Sequence, residues 1–200
     1  MPDFSYELEA KSKGFNLVCG VDEAGRGPLA GPVCAAAVIL PDDCIIEGLN
    51  DSKKISEKKR ELLYDVIVEK ALAFSVAYGT LEEIEKYNIL EATYIAMNRA
   101  IEGLNTKADF ALIDGNRVPK GITIPCKTVV KGDSKSYSIA AASILAKVTR
   151  DRLMMEYDKK YPEYLFATHK GYGTKAHYEA IKQHGVCEIH RLSFLKNVLG

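Results

Sequence analysis

The chain has 200 residues, of which 47% are hydrophobic, and its 27 acidic side chains balance its 27 basic ones. This length suits one domain, and five cysteines without a CxxC pair argue against a disulfide-stapled secreted protein. The polar start of the chain and the absence of a long apolar run predict a soluble cytoplasmic protein without a membrane segment.

The charges are unevenly distributed along the chain. Residues 1–100 hold 17 acidic and 11 basic side chains, whereas residues 101–200 hold 10 and 16. An ordinary solvated surface explains this pattern, but a basic second half also fits a local surface for nucleic acid.

Short apolar runs and amphipathic segments alternate along the sequence. The predicted strands are residues 17–21, 33–40, 73–78, 110–113 and 122–130. The predicted helices follow the capping residues Ser56, Thr80, Asn88, Ser136 and Thr174, with a last short helix over residues 192–199. This order predicts one α/β domain over residues 1–200, with a core at about 15–160 and a helical C-terminal extension at about 161–200.

The longest predicted helix starts around Ser136 and stops before Pro162. Its many alanines predict close packing against the sheet. One face is expected to carry Ile139, Ala142, Ala146, Thr149 and Leu153. Asp151 in this helix is interpreted as an exposed acid paired with an arginine.

Residues 19–28 combine two adjacent carboxylates with a Gly-Arg-Gly sequence. Asp22 and Glu23 suit a hard cation. Gly25 and Gly27 let the backbone approach a bulky ligand, and Arg26 suits a phosphate. Metal and phosphate chemistry within six residues predicts an enzyme that acts on a phosphodiester.

Two more acids follow predicted strands, Asp114 and Asp133, and all four can converge at one edge of the sheet. Successive strand residues face opposite sides, so Asp22 and Glu23 reach one metal only if the first strand ends or bulges between them. Clustered carboxylates repel one another unless cations neutralise them, and Mg²⁺ or Mn²⁺ fits an all-oxygen site. A plain turn role stays open for Asp114 and Asp133.

Two polar loops contain candidate substrate contacts. Lys53 can neutralise a phosphate, although an exposed basic loop is an equal alternative. Tyr172 lies between two glycines, where its ring can stack on a sugar or base; packing is the alternative. The four histidines lack zinc-ligand spacing and are expected at the surface or at helix ends.

Six segments occur in a characteristic order: VDEAGRGPLAGP (21–32), DSKK (51–54), IDG (113–115), KGD (131–133), SIAAASILAKV (138–148) and HKGYGT (169–174). Together they span nearly the whole chain and closely resemble bacterial ribonuclease HII, the type 2 ribonuclease H family. The resemblance implies a ribonuclease H-like fold with a mixed five-stranded sheet flanked by helices.

The resemblance also implies an activity and a site. The implied enzyme is an endoribonuclease that cuts the RNA strand of RNA–DNA hybrids and incises 5′ of single ribonucleotides embedded in duplex DNA. Two Mn²⁺ or Mg²⁺ ions would leave 5′-phosphate and 3′-hydroxyl ends. The implied catalytic and metal-binding residues are Asp22, Glu23, Asp114 and Asp133. The implied substrate contacts are Gly25, Arg26 and Gly27 at the ribose 2′-hydroxyl, Tyr172 at the sugar and Lys53 at phosphate.

The expected partners are RNA–DNA hybrid and ribonucleotide-containing duplex DNA, and the expected state is a monomer. Three alternatives remain open from sequence. One is a catalytically silent hybrid-binding module of the same fold, against which the complete acid set argues. A junction resolvase is another. The third is a type 3 ribonuclease H, whose additional N-terminal domain is not expected before a first strand near residue 17.

Overall fold

A computed structural model describes residues 1–196, which form a five-stranded sheet flanked by helices. The strands are β1 (Val18–Ala24), β2 (Val33–Ile39), β3 (Ala73–Gly79), β4 (Phe110–Asp114) and β5 (Cys126–Val129). The order in the sheet is β3-β2-β1-β4-β5. β2 pairs antiparallel with β1 and β3, whereas β4 pairs parallel with β1 and β5. The predicted mixed five-stranded α/β fold with a helical C-terminal part is therefore confirmed.

The helices flank the sheet, and five of them begin directly after a predicted cap. They are α1 (Ser5–Ser12), α2 (Glu57–Lys70), α3 (Leu81–Tyr87), α4 (Ile89–Glu102), α5 (Tyr137–Lys160), α6 (Phe166–His169) and α7 (Lys175–His184). Short 3₁₀ turns cover Ser52–Lys54, Gly132–Ser134, Pro162–Tyr164 and Leu192–Phe194. Each predicted cap accepts a backbone N–H of its helix, which satisfies a donor that the first turn leaves free.

Three elements differ from the predictions. The last strand covers only Cys126–Val129 because Pro125 has no N–H, and the ladder starts after it. α1 was missed, since it lacks a side-chain cap and is held by a distant contact in which Glu7 accepts from the Ser136 hydroxyl at 2.6 Å. Of the predicted helix at 192–199, Leu192–Phe194 is a 3₁₀ turn, and the part from residue 197 onward lies outside the described residues.

The sheet separates two apolar layers. Alternate residues of β2 pack toward α2 and α5 on one face and toward α4 on the other. A Cβ at Gly20 of β1 would overlap the carbonyl group of Ser138, so strand and helix backbones touch. The predicted close packing of α5 is confirmed. Its predicted single buried face is wrong, because the first half of α5 is buried on almost every side.

The C-terminal part packs on the loop between β1 and β2, residues 25–32, here called the glycine-rich loop. Tyr164, Phe166 and Ile181 form an apolar cluster with Leu29 and Ala30 of this loop. An isolated β-bridge joins Ala30 to His190. Across residues 1–196, no helix combines the length and apolar character needed to cross a bilayer.

Candidate active site

Asp22 and Glu23 lie on a regular strand. β1 continues in register through both residues, with Asp22 opposite Ala36 and Glu23 opposite Ala35. The expected end or bulge between them is therefore wrong, and the two carboxylates lie on opposite faces of the sheet. Asp22 is on the α5 side, where it lies near Ser143.

Asp114 lies at the end of β4, next to Asp22 on the neighbouring strand. Val21 pairs with Ile113 in the parallel register, and Asp114 is the next residue and the last of β4. Because β4 ends there, the carboxylates of Asp22 and Glu23 can both approach Asp114 from their own side.

The electrostatics show this proximity. Burial, and then the charges of Glu23 and Asp114, raise the pKa of Asp22 well above its usual value. Burial also raises the pKa of Glu23, and the Asp114 charge adds to the effect. The guanidinium of Arg26, 3.4 Å from Glu23 Oε1, partly opposes it.

Asp133 is brought to the same group by a backbone contact. The N–H of Gly132 donates to Asp114 Oδ1 at 2.6 Å, which fixes the 3₁₀ turn that carries Asp133. Burial, followed by the charges of Asp51 and Asp114, raises the pKa of Asp133. Sequence reasoning missed Asp51, whose side chain caps the turn at Ser52–Lys54 and whose charge helps to raise the pKa of Asp133.

Lys53 faces this acidic group. Partial burial alone would lower the pKa of its ammonium group, but the carboxylates of Asp22 and Asp133 outweigh burial and raise it. The lysine therefore stays charged beside the acids, where it can meet a phosphate.

The donor set fits a hard divalent cation in its chemistry. Four carboxylates whose mutual repulsion opposes ionisation are stabilised by a cation, and Mg²⁺ and Mn²⁺ prefer oxygen ligands. Within residues 1–196, however, no three His, Cys, Asp or Glu side chains already lie close enough to hold one ion. Because Asp22 and Glu23 flank Asp114 from opposite faces, joint coordination requires their side chains to turn toward the end of β4.

A cleft of about 190 Å³ connects the acids to the glycine-rich loop. Its lining includes Asp22, Glu23, Gly25, Arg26, Gly27, Lys53 and Tyr172. Gly25 has a φ of +91°, and a Cβ there would overlap the side chain of Arg150. Only glycine fits this position. The Tyr172 ring is 42% exposed and lies 3.6 Å from where a Cβ of Gly27 would be, so it forms the opposite wall.

A polar stripe on α5 also belongs to the site and was missed. Ser143, Lys147 and Asp151 follow at four-residue spacing, and the first two line the cleft. Lys147 Nζ lies 2.7 Å from Asp151 and 5.9 Å from the centroid of the Tyr172 ring. Asp151 is 4% exposed, so its predicted exposure is wrong, while its arginine partner is Arg60 at 3.9 Å. Polar residues every fourth position in an alanine-rich helix were the available signal.

Two fully buried arginines hold the glycine-rich loop. Arg150 donates to the carbonyls of Ala30, Pro32 and Lys170, at 2.9 to 3.0 Å. Arg191 donates to the carbonyls of Gly25, Arg26 and Gly31, at 2.6 to 2.9 Å. No local sequence pattern marks either residue, because all their partners are distant backbone atoms.

The prediction of surface or helix-end histidines is confirmed for His169 and His184, the last residues of α6 and α7, and is wrong for the buried His190. His169, His177 and His190 are buried together, and only His184 is exposed. His177 Nδ1 is 2.9 Å from the Tyr172 carbonyl, and its Nε2 is 3.1 Å from His190 Nε2. Burial lowers the pKa of His177 to about 4. With both rings neutral, the Nε2–H of His190 donates to Nε2 of His177, and the Nδ1–H of His177 donates to the Tyr172 carbonyl. The histidine cluster therefore supports the backbone of Tyr172 in the cleft wall.

The sequence and fold of this chain match those of known proteins. A family model described as Ribonuclease HII matches residues 19–197. This chain belongs to the ribonuclease HII family. The ribonuclease HII of Endomicrobium trichonymphae is 58% identical over 191 residues, which cover 96% of this chain and 91% of that protein.

Solved structures share the ribonuclease HII fold. Ribonuclease H2 from Pyrococcus horikoshii OT3 superposes with a TM-score of 0.75 at 28% identity, covering 89% of this chain and 93% of the other. Bst-RNase HIII in complex with Mn²⁺ superposes with a TM-score of 0.72 over 96% and 72% of the two chains. Its identity is 19%, so that likeness concerns the fold alone.

Membership of the ribonuclease HII family confirms the resemblance drawn from the sequence motifs. The chain is a ribonuclease H endoribonuclease, a hydrolase of a family that acts on RNA–DNA hybrids. The silent-module, junction-resolvase and type 3 alternatives are set aside on the same ground.

Proposed function

We propose that this endoribonuclease incises 5′ of single ribonucleotides embedded in duplex DNA, in addition to cutting the RNA strand of hybrids. The observation that carries the proposal is the shared cleft, which places Asp22, the glycine-rich loop and Tyr172 around one space. A single scissile phosphate can therefore meet the acids while its sugar meets the loop and the ring.

Specificity is assigned to the ribose. Gly25, Arg26 and Gly27 offer backbone groups to the cleft, and the 2′-hydroxyl is what distinguishes RNA from DNA at one site. Tyr172 offers the face of a ring, which packs on a sugar without reading a base. Backbone and ring contacts of this kind are indifferent to base sequence. A single ribonucleotide is then sufficient for recognition.

Chemistry is assigned to the four acids. Asp22, Glu23, Asp114 and Asp133 would hold two Mg²⁺ or Mn²⁺ ions. When bound, such ions supply an activated water and stabilise the leaving 3′-oxygen, which gives 5′-phosphate and 3′-hydroxyl ends. The protein contributes the negative charge that holds the ions, and Lys53 and Arg26 neutralise phosphate charge nearby.

The test is cleavage of an end-labelled DNA duplex that contains one ribonucleotide, with Mg²⁺ or Mn²⁺ present. An all-DNA duplex of the same sequence and a continuous RNA–DNA hybrid are run beside it. A single cut on the 5′ side of the ribonucleotide, absent from the all-DNA duplex, is the expected result. Cutting of the hybrid alone would overturn the proposed specificity for single ribonucleotides. Binding of the ribonucleotide duplex without cutting would also overturn the proposed incision.

The proposed active species is a monomer. Each residue to which the proposal assigns a role occurs in one copy of the chain, so the proposed chemistry needs no group from a second copy. Sedimentation of the enzyme with and without a ribonucleotide duplex tests this, and an active dimer would contradict it.

A further inference from the structure

Arg191 is a buried cation without a buried counter-ion. Its side chain is 0% exposed, and in the described part of the chain no carboxylate forms an ion pair with it. Burial, and then the charge of Arg150, lowers its pKa to about 9. A buried charge is costly unless it is well hydrogen-bonded. Here the guanidinium donates to three backbone carbonyls, which offset part of that cost.

The three carbonyls show what the guanidinium does. Nη2 of Arg191 donates to Gly25 at 2.6 Å, Nη1 to Arg26 at 2.9 Å and Nε to Gly31 at 2.8 Å. One planar group therefore joins the two ends of the glycine-rich loop. The Arg191 N–H also donates to the Leu29 carbonyl at 2.8 Å, so the arginine itself is anchored to the loop.

The geometry of the peptide bond means that these three contacts also orient the neighbouring backbone N–H groups. In a trans peptide the C=O and the N–H of the next residue point opposite ways. When Arg191 draws the carbonyls of Gly25 and Arg26 inward, the N–H groups of Arg26 and Gly27 turn outward. Within residues 1–196 neither N–H has a protein acceptor, and both residues line the cleft.

We infer that Arg191 is a positioning residue for ribose recognition: its fork fixes two peptide planes so that the Arg26 and Gly27 N–H groups face the 2′-hydroxyl. The inference rests on the proposed function, because it assumes that the loop reads ribose. It adds a residue that touches no substrate and lies 160 positions from Gly31 in the sequence.

Arg191→Lys is the informative variant. Lysine keeps the charge, but its ammonium is a point donor and does not reproduce a planar fork that holds three carbonyls. Arg99→Lys is the control. The Arg99 guanidinium also forms a fork of hydrogen bonds, but its partners are the Tyr78 carbonyl and the Glu83 carboxylate, neither of which belongs to the glycine-rich loop.

The measurement is the affinity for two duplexes of one sequence, with one ribonucleotide or entirely DNA. Fluorescence anisotropy is read in Ca²⁺, and a gel confirms that the duplexes stay uncut. The readout is the ratio of the two affinities. A variant with a smaller folded fraction binds both duplexes more weakly by the same factor, and this factor cancels in the ratio. We expect Arg191→Lys to lower the ribose preference about fivefold or more, as losing one hydrogen bond does. Arg99→Lys should keep the ratio within about twofold, even where its Tm falls.

An unchanged ratio in Arg191→Lys would overturn the inference, and so would an equal loss in Arg99→Lys. A wild-type protein that binds both duplexes equally would also overturn it. The proposed function is judged separately in that case, by whether the wild type still cuts at the ribonucleotide.

A second measurement uses the wild type and needs no variant to fold. The ¹H–¹⁵N signals of Arg26 and Gly27 should shift when the ribonucleotide duplex binds in Ca²⁺, and much less with the all-DNA duplex. Equal shifts with both duplexes would contradict a ribose contact by these two amides.

Discussion

Asp22 and Asp114 are neighbours on two parallel strands, one residue beyond the Val21–Ile113 pair. β1 continues past this point and β4 stops, so Asp114 lies at a gap where carboxylates from both faces of the sheet can meet. The end of β4, and not a distortion of β1, therefore lets Asp22 and Glu23 approach Asp114 from opposite faces of the sheet.

Asp114→Asn should abolish cleavage. The amide keeps the shape and can still accept the Gly132 N–H, but it removes the charge that the acidic group needs to hold a cation. Initial rates on a hybrid and on a single-ribonucleotide duplex check this. Asp65→Asn, at an exposed acid of α2, is the control and should cut normally. Wild-type rates in Asp114→Asn would remove Asp114 from the site.

Asp22→Asn should raise the Tm in EDTA while it abolishes activity. A buried carboxylate with a raised pKa binds protons more tightly in the folded state. The contribution of Asp22 to the free energy of unfolding is therefore fully present at acid pH, and it is lost as pH rises from 3.8 through the pKa of the folded state. The asparagine does not titrate, so its advantage is largest at pH 8 and disappears near pH 4.

Thermal scans in EDTA across that pH range measure the effect, at about 2–4 °C per kcal/mol for a chain of this size. A lower Tm for Asp22→Asn at pH 8 would mean that its contacts outweigh the repulsion.

Divalent cations should stabilise the protein as well as activate it. EDTA should stop cleavage, and Mg²⁺ or Mn²⁺ should restore it and raise the Tm, because ligands that bind only the folded state stabilise it. The Tm gain should vanish in a variant with both Asp22→Asn and Asp114→Asn. Cleavage that persists in EDTA would contradict the metal assignment.

Tyr172→Ala should slow incision at a single ribonucleotide by about tenfold or more, equivalent to about 1.4 kcal/mol. The ring forms one wall of the cleft beside Gly27, and its removal leaves the sugar without a packing surface. Tyr172→Phe keeps the ring and should keep most of the rate. Tyr87→Ala, at another exposed tyrosine, controls for the loss of a surface ring. Equal rates for Tyr172→Ala and the wild type would return Tyr172 to a packing role.

His177 should make stability fall at acid pH. Its folded pKa of about 4 lies below the usual 6.5, so the unfolded chain takes up a proton first as pH falls. This stability is fully present above pH 6.5 and is lost between 6.5 and 4, by about 2 kcal/mol from pH 7.5 to 5. Urea unfolding of wild type and His177→Gln checks it: the stability difference should shrink by that amount. His184→Gln, at the exposed histidine, should show no such change.

The sequence predicted the elements whose signals are local. Thr80 with Glu83, or Ser136 ahead of alanines, specifies a helix start through neighbours within four residues. The ends of β4 and β5 located Asp114 and the turn of Asp133 for the same reason.

Features that depend on distant contacts were missed. The regular continuation of β1 through Glu23 is stabilised by its ladder with β2, which no local pattern reveals. Asp51 becomes a neighbour of Asp133 only after folding. Arg191 and His190 carry no chemistry visible in their own segment, because their partners are carbonyls and a ring elsewhere in the chain.

The bond from Arg191 to Gly25 spans 166 residues, and it closes the loop that the acids need beside them. Contacts this remote in sequence form late, because the intervening chain must be ordered first. During synthesis the four acidic residues leave the ribosome well before Arg191. The nascent chain thus carries its acids without the contacts that close the glycine-rich loop until the segment around Ile189–Arg191 has been made, and we expect cutting to begin only after the fold is complete.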